Sequence, residues 1–333
     1  MKIPRFARGF ALLIILLSIA PQLHAATRTW VNPSGGLWST PANWSGGVVP
    51  DSDDTALINL SGTYTVTVDA GAGVAALTVG GAAGKQSLRW TGGILSGPIT
   101  IAASGEFRFA ITGFNSHYSN GTLSNGGTVV FESAATQPWS LSGASIANLS
   151  GALVDIQGDA SFTRHSGSPE FQNHGTLRKS GGTGYARFNE GVAFFNRGSV
   201  QIQSGGIEFN DGLTSSSAFE IDANTQLNLH SGVFHLEPGN SFNGSGDYGV
   251  LGGGGPIIDG PLINNNFQIA NGEITITNEL RGVLHWRSGS IGGELTIAPG
   301  GVLNYGITGF NSFQRAGVIT NHGSIVWEST ATM

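Results

Sequence analysis

The sequence predicts an all-β chain wound as a parallel β-helix, or β-solenoid, with about 23–25 residues per coil. Three observations predict it. Glycine supplies 53 of the 333 residues, short runs alternate apolar and polar residues, and an asparagine-centred cue recurs at nearly constant spacing. Periods of 20–50 residues are typical of solenoids, in which each coil is stable only when stacked on its neighbours.

Short strands are indicated by alternation with period two. Tyr64, Val66 and Val68 alternate with threonines, and Ile274 to Thr277 repeats the pattern. Between such runs lie Gly-Gly, Asn-Gly, Ser-Gly and Pro-Gly pairs, which accept the left-handed conformations of tight corners. The chain therefore alternates short strands with corners, and a solenoid about 60 Å long is expected from a coil spacing of about 4.8 Å.

The coil length comes from an Asn-x-Gly-Ser/Thr-apolar cue. The cue starts at Asn125, Asn173, Asn196 and Asn321, with a looser copy at Asn148, and the first four starts in chain order are 23, 25 and 23 residues apart. Asparagine tolerates corner conformations, and its amide can bond to the same residue of the next coil. We expect these residues to form a structural ladder rather than to contact a ligand.

A longer duplication lies over the short one. Residues 88–136 align without a gap on 284–332, at an offset of 196, and 22 of the 49 aligned positions are identical. Eight coils of about 24.5 residues would fill this offset. Because the second copy stops at Met333, inside a unit, we expect the array to continue in a longer protein.

The duplicated loops are the candidate ligand-binding sites. Phe114 and Asn115 recur as Phe310 and Asn311, in stretches that are more polar and aromatic than a plain strand. Two copies on one solenoid would bind a ligand twice and gain avidity. The alternative, which we favour, is that the phenylalanines pack inward and the asparagines cap turns.

The first residues have the pattern of a secretory signal peptide. Lys2, Arg5 and Arg8 precede an apolar run over 10–20, and Ala25 follows a helix-breaking proline at a suitable cleavage position. The run is too short to span a bilayer, so no transmembrane segment is expected. Residues 1–25 are therefore predicted to be removed, and the mature chain to be secreted or held on the outer cell surface.

Charge excludes one class of partner. Charged residues make up 11% of the chain, and removal of the three leader cations changes the formal net charge from −6 to −9. The remaining cations are scattered singly, whereas nucleic-acid binding requires a clustered basic face. We expect no nucleic-acid partner and a monomeric rod that contacts a host or environmental surface, through glycan or protein.

The mature chain is predicted to open with an aromatic cap. Residues 26–80 hold the cap and first coils, and 81–333 hold the solenoid repeats. Trp30, Trp38 and Trp44 can either stack on sugar rings or cover the open end of the first coil, and we favour the cap.

Over residues 29–80 the chain resembles known proteins. The pattern Trp, Gly-Gly-x-Trp-Ser, Asn-Trp and Asp-Asp-x-Ala, followed by the strands 64–68 and 76–79, is similar to the start of large bacterial surface proteins with parallel β-helix passengers. These are the autotransporter passengers and filamentous adhesins. The resemblance implies a non-enzymatic, adhesin-like or structural protein from a bacterium of the Gram-negative type.

Metal sites are weakly indicated. Asp51, Asp53 and Asp54 could hold Ca²⁺, but they lack the further ligands of a calcium loop, so we expect a solvated turn and no cofactor. Neither His165 with His174 nor His230 with His235 has the second ligand pair of a zinc site, so surface or core histidines are expected instead. That sentence-level reading assigns no metal ligand.

A polysaccharide lyase or glycoside hydrolase acting on acidic polysaccharide is the alternative function, since many β-helix proteins of the pectin-lyase-like fold cleave such chains. Glu208 with Asp211, or Glu220 with Asp222, could supply an acid and a base. No basic or aromatic residue adjoins either pair, so no catalytic residue is assigned.

Overall fold

The computed structural model describes residues 25–113, 117–252, 254–264, 266–306 and 314–328. All but the last residue of the predicted signal peptide, and the predicted break at the end of the second copy, lie outside these residues. In the part described, the chain is a parallel β-solenoid of about 12 turns, and the predicted fold class is confirmed.

Each coil places one short strand on each of three faces. Face 1 is a 10-stranded parallel sheet, while the other strands form one 26-stranded sheet because several long strands continue around a corner from one face to the next. Two short 3-10 helices, Pro41–Asn43 and Ser45–Gly47, lie before the first complete coil.

The strands of the face 1 sheet are Gly36–Leu37, Tyr64–Val68, Gln86–Trp90, Gly105–Phe109, Thr128–Phe131, Leu153–Ile156, Thr176–Lys179, Ser199–Ile202, Ala218–Ile221 and Ser241–Gly244. Those of face 2 are Ala72–Gly73, Leu95–Ser96, Ser161–Ser166, Tyr185–Phe188, Gly206–Phe209, Gln226–Leu229, Asp247–Val250, Phe267–Ile269, Val283–Trp286, Val302–Tyr305 and Ser324–Trp327. Those of face 3 are Thr27–Thr29, Thr55–Ile58, Ala76–Val79, Ile99–Ile101, Glu170–Asn173, Ala193–Asn196, Leu213–Ser215, Val233–Leu236, Ile257–Asp259 and Glu273–Ile276.

The strands that turn a corner are Tyr118–Asn125 and Trp139–Asn148, from face 2 to face 3, and Ser290–Ile297 and Gln314–Asn321, from face 3 to the end of face 1. Glu279–Leu280 pairs with the last residues of Ser290–Ile297.

The core is a set of inward stacks that run along the solenoid. On face 1, Val66, Leu88, Phe107 and Val129 occupy equivalent positions on successive coils, and each is fully buried. Aromatic rings stack in the same way on face 2, where the Phe162 and Phe188 centroids lie 4.5 Å apart. Burial of apolar area contributes about 25 cal/mol per Å², so each coil is stabilised chiefly by its two neighbours.

The predicted asparagine ladder is confirmed. The Nδ2 atoms of Asn125, Asn148 and Asn173 donate to the Oδ1 atom of the next asparagine at 2.9, 2.8 and 2.9 Å, the last acceptor being Asn196. All four side chains are fully buried, and Asn196 passes the ladder to Ser215 Oγ at 3.2 Å. The ladder pays the desolvation cost of these amides and fixes the register of consecutive coils.

Coil length follows the ladder and changes where the ladder ends. The asparagines are 23, 25 and 23 residues apart, as predicted, but Ser215 comes only 19 residues after Asn196. Glu273 pairs with Ser290, whereas Phe162 pairs with Phe188, so the coils range well outside the predicted length at both limits.

The offset of the long duplication is therefore not a whole number of coils. Leu88 lies on face 1, but its counterpart Leu284 lies on face 2, where it pairs with Phe267 and Leu303. The expectation of eight equal coils is wrong, because the coils after Asn196 are shorter and their number differs. The two copies lie on different faces of the solenoid.

The three N-terminal tryptophans form a buried cluster. Trp30, Trp38 and Trp44 are at most 2% exposed, and the Trp44 ring meets the other two edge to face at 5.1 and 4.7 Å. The indole of Trp44 donates to the Trp38 carbonyl oxygen at 2.8 Å. Buried rings cannot stack on a sugar, so the aromatic cluster packs against the first coils as the cap interpretation predicts.

Asp54 fastens the first strand to this cluster. Its carboxylate, 2% exposed, accepts hydrogen bonds from the Ala26 amide at 2.9 Å and from Arg28 Nε at 3.0 Å. It also accepts from the Asp51 amide at 3.4 Å. The prediction of a solvated turn is therefore wrong for Asp54, whose oxygens hold the chain rather than face water.

Lys179 is an exception inside the core. It lies in an inward row between Ile156 and Ile202, and its side chain is fully buried. The ammonium donates to Asp159 Oδ1 at 3.1 Å and to the Gly181 carbonyl oxygen. Burial lowers the pKa of the Lys179 ammonium below its ordinary value of 10.5, and the Asp159 carboxylate only partly opposes this.

We expect Asn148→Ala to lower the free energy of unfolding by about 2–4 kcal/mol, because it leaves buried partners in two neighbouring coils unpaired. Asn243→Ala is the matched control, since Asn243 is exposed and bonds to Glu220 on the surface. Urea unfolding followed by circular dichroism measures both. Equal losses from the two variants would contradict a buried ladder.

Lys179→Met is expected to give a pH-dependent difference. The unfolded chain holds the lysine proton more tightly, so the free energy of unfolding of the wild-type protein should rise relative to the variant as pH increases towards 10.5. The difference in unfolding midpoint between the two proteins, measured from pH 7 upward, tests this. A flat difference, or one that favours the variant at high pH, would refute the burial cost.

Candidate functional site

A groove runs along face 3, across the coils that follow the asparagine ladder. Three adjoining hollows of about 170, 320 and 330 Å³ form it. Phe195 lines both the first and the second hollow, and Thr214 and His235 line both the second and the third. The hollows therefore form one continuous depression parallel to the solenoid axis.

One outward row of face 3 supplies the contact residues. Gln172 is in register with Phe195, Phe195 with Thr214, Thr214 with His235 and His235 with Asp259. Residues in register on successive coils lie about 4.8 Å apart. The groove thus presents an amide, a half-buried aromatic ring, a hydroxyl, an imidazole and a carboxylate in a straight line.

Small residues form the floor. Ala193 and Gly212 line the central hollow beside this row. Gly212 has a φ of +72°, and a Cβ atom there would lie 2.0 Å from the Val233 carbonyl oxygen. Only glycine fits, so backbone is exposed where other coils carry a side chain. The short step from Asn196 to Ser215 removes corner residues from the same region, which deepens the groove.

The groove has an acidic character. Its polar lining comprises Glu170, Gln172, His174, Arg197, Asp211, His235, Glu237 and Asp259. Four of these are carboxylates and one is an arginine. His235 Nδ1 lies 2.8 Å from Asp259 Oδ2, in a pair that is about half exposed on both sides. Asp211 accepts the Gly191 amide at 2.9 Å, and Glu170 accepts Gln172 Nε2 at 2.7 Å.

Carboxylates on the other two faces bind basic residues of neighbouring coils. On face 1, Glu132 bonds to Arg89 and Arg108, each at 2.7 Å, and these arginines hold the pKa of Glu132 below its usual range. Asp155 bonds to Arg178 at 2.9 Å. These contacts join strands from different coils, so they act as ties along the faces.

The predicted acid and base candidates fall into different surroundings. Glu208 lies on face 2, where it accepts from Arg187 Nε at 3.0 Å and from Asn228 Nδ2 at 2.9 Å. Asp211 lines the face 3 groove instead. Glu220, on face 1, accepts from Asn243 at 2.8 Å, while the Asp222 carbonyl oxygen closes a turn to Thr225. Each pair is thus divided between a strand face and the following corner.

A second cleft, of about 360 Å³, borders the first duplicated loop. Gly113, His117, Pro138, Ser140 and His165 are among its lining residues. The His117 and His165 rings are parallel, with centroids 4.8 Å apart. Burial, with a smaller contribution from the facing His165, lowers the pKa of His117.

The residues proposed to contact a ligand, Phe114, Asn115, Phe310 and Asn311, lie outside the described residues. The strands that flank them are described. Gly105–Phe109, before the first loop, belongs to face 1, and Val302–Tyr305, before the second, belongs to face 2. The two loops therefore do not follow equivalent faces, so simple stacking of two identical contacts along one face does not hold.

The remaining histidine predictions concern surface groups. His174 and His235 are exposed and line the groove, and His230 lies 3.4 Å from Ser231 Oγ. Within the described ranges, no group of three or more histidine and acidic side chains is placed to share a metal ion. The helices found in those ranges include none with the length and apolarity to cross a membrane.

Sequence reasoning missed the groove. His235 and Asp259 are 24 residues apart, which is one coil, so their pairing could have been found by superposing the coil period on the outward residues. Phe195 carries the same signal, because it breaks a row of polar outward residues.

Comparison with known proteins gives no match: no protein-family model, no curated protein and no solved structure is similar to this chain.

We expect His165→Ala to raise the pKa of His117, because it removes the facing imidazole and opens the cleft to water. Titration of the imidazole resonances by NMR measures the shift. His174→Ala, on another face, is the control and should leave His117 unchanged. An unchanged His117 in the His165 variant would show that the ring pair does not form in solution.

Proposed function

We propose that this chain is a non-enzymatic, exported repeat protein of the adhesin-like or structural kind, held on or released from the outer surface of a bacterium of the Gram-negative type. Its solenoid is a stiff support that holds surface loops and grooves at fixed positions. The leader pattern of 1–25 supports export, and the resemblance over 29–80 supports the surface-protein class.

The observation that carries the proposal is how the face carboxylates are used. Glu106 is paired with Lys85 and Arg108, Glu132 with two arginines, and Asp155 with Arg178, and most of these pairs join different coils. Ion pairs that lie flush on a sheet face strengthen coil stacking. They also occupy the carboxylate oxygens that acid–base chemistry would require.

Glu208 illustrates the difference. As a catalytic acid or base it would need a free oxygen near a substrate. Here one oxygen accepts from Arg187 and the other from Asn228, on the two neighbouring coils of face 2. This arrangement supports a tie between three coils.

Glu208→Gln tests the proposal. We expect the variant to lose less than about 1.5 kcal/mol of unfolding free energy, because the pair with Arg187 is partly exposed. The wild-type protein is expected to release no reducing ends or unsaturated products from pectin, alginate or chondroitin, compared with a heat-denatured sample. It should instead bind saturably to arrays of surface glycans or proteins.

The enzyme alternative makes the opposite forecast. Turnover of one of these polysaccharides that is abolished by Glu208→Gln or Asp211→Asn, with folding retained, would overturn the non-enzymatic proposal. Glu220→Gln, on face 1, is the matched carboxylate control in that experiment.

A further inference from the structure

We propose that the face 3 groove binds an uncharged polysaccharide chain, extended along the solenoid axis. The inference rests on the proposed function in treating the protein as a binding rather than a catalytic molecule. It adds a site and a class of ligand, and it can fail while that function stands.

The shape selects an elongated ligand. The hollows adjoin one another from the Glu170–Asn173 strand to the Ile257–Asp259 strand, so the groove crosses five coils. Its length is about 19 Å at a coil spacing of about 4.8 Å. Equivalent positions repeat at this spacing, which is close to the repeat of a β-linked pyranose chain. A polymer can therefore place a similar group against each successive coil.

The lining suits a surface that is apolar in its centre and hydroxylated at its edges. The half-buried ring of Phe195 and the exposed side chain of Val233 provide apolar contact. Thr214, His235 and Asp259 adjoin them with hydroxyl, imidazole and carboxylate groups. A sugar ring combines a face of C–H groups with a rim of hydroxyls, so both kinds of contact can be made at once.

Charge determines which polysaccharide fits. Glu170, Asp211, Glu237 and Asp259 place four carboxylates along the groove, with Arg197 as the one arginine in its lining. A uronic acid chain would bring one negative charge per sugar against them, and like charges within a few ångströms repel. Carboxylates bind neutral hydroxyls well, because they accept hydrogen bonds without a charge penalty. The acidic substrates suggested for a β-helix enzyme are thus disfavoured in this groove.

The other faces lack this arrangement where they have been compared. On face 2, Tyr185 lies beneath Arg187, 5.5 Å from the ring centroid, and its hydroxyl bonds to Gln226. This aromatic ring is covered by an ionic network, whereas Phe195 opens onto a hollow. Tyr185 therefore supplies a matched control of similar size and exposure on a different face.

Isothermal titration calorimetry of the full chain tests the inference, with cellohexaose, xylohexaose and laminarihexaose as neutral probes and hexagalacturonate as the acidic probe. We expect at least one neutral hexaose to bind and hexagalacturonate to bind at least about tenfold more weakly or not at all. Phe195→Ala should weaken the neutral hexaose about tenfold, and Tyr185→Ala should leave it unchanged.

Thr214→Arg is a second variant that places a long side chain on the groove floor, and it should abolish binding without unfolding the protein, as checked by circular dichroism. Three results would overturn the inference: no neutral hexaose binds, hexagalacturonate binds best, or Phe195→Ala and Tyr185→Ala weaken binding equally. If array ligands are bound and Thr214→Arg leaves that binding intact, the proposed function survives and the groove assignment falls. Polysaccharide turnover would instead refute the proposed function itself.

Discussion

Coil-to-coil registration by the buried asparagine ladder is the constraint on which the rest of the structure depends. Four fully buried amides bond in series from Asn125 to Asn196, and each also faces backbone groups of its own corner. An amide removed from water is tolerated only when its donors and acceptors are paired, so these coils must stack at one spacing and in one register. The inward rows of Val, Leu and Phe are aligned by the same register.

Where the ladder ends, the geometry changes and the candidate site begins. After Asn196 a serine replaces asparagine, the coil shortens, and Gly212 leaves exposed backbone on face 3. The ion-paired faces along the ladder coils are filled by arginines and carboxylates, whereas the groove is lined by small residues with an aromatic ring at one side. Stability and binding are thus assigned to different parts of the same solenoid.

The fold was readable in the sequence because its signals are local and repeated. Period-two alternation, corner glycines and the asparagine cue each recur in many coils, and the ladder follows directly from them. The coil lengths after Asn196 were not readable, since no cue marks those corners. Asp54 and Lys179 were also missed, because their partners, Arg28 and Asp159, lie 26 and 20 residues away in the chain. The groove depends on outward residues from five coils, so it required the true register of each.

Hydrogen–deuterium exchange with mass spectrometry tests the central claim most directly. If the ladder holds the register, amides in the strands Leu153–Ile156, Thr176–Lys179 and Ser199–Ile202 should exchange most slowly, and those in Ile257–Asp259 and Glu273–Ile276, beyond the ladder, should exchange faster. Uniform exchange along the solenoid, or slower exchange beyond the ladder than within it, would contradict the account.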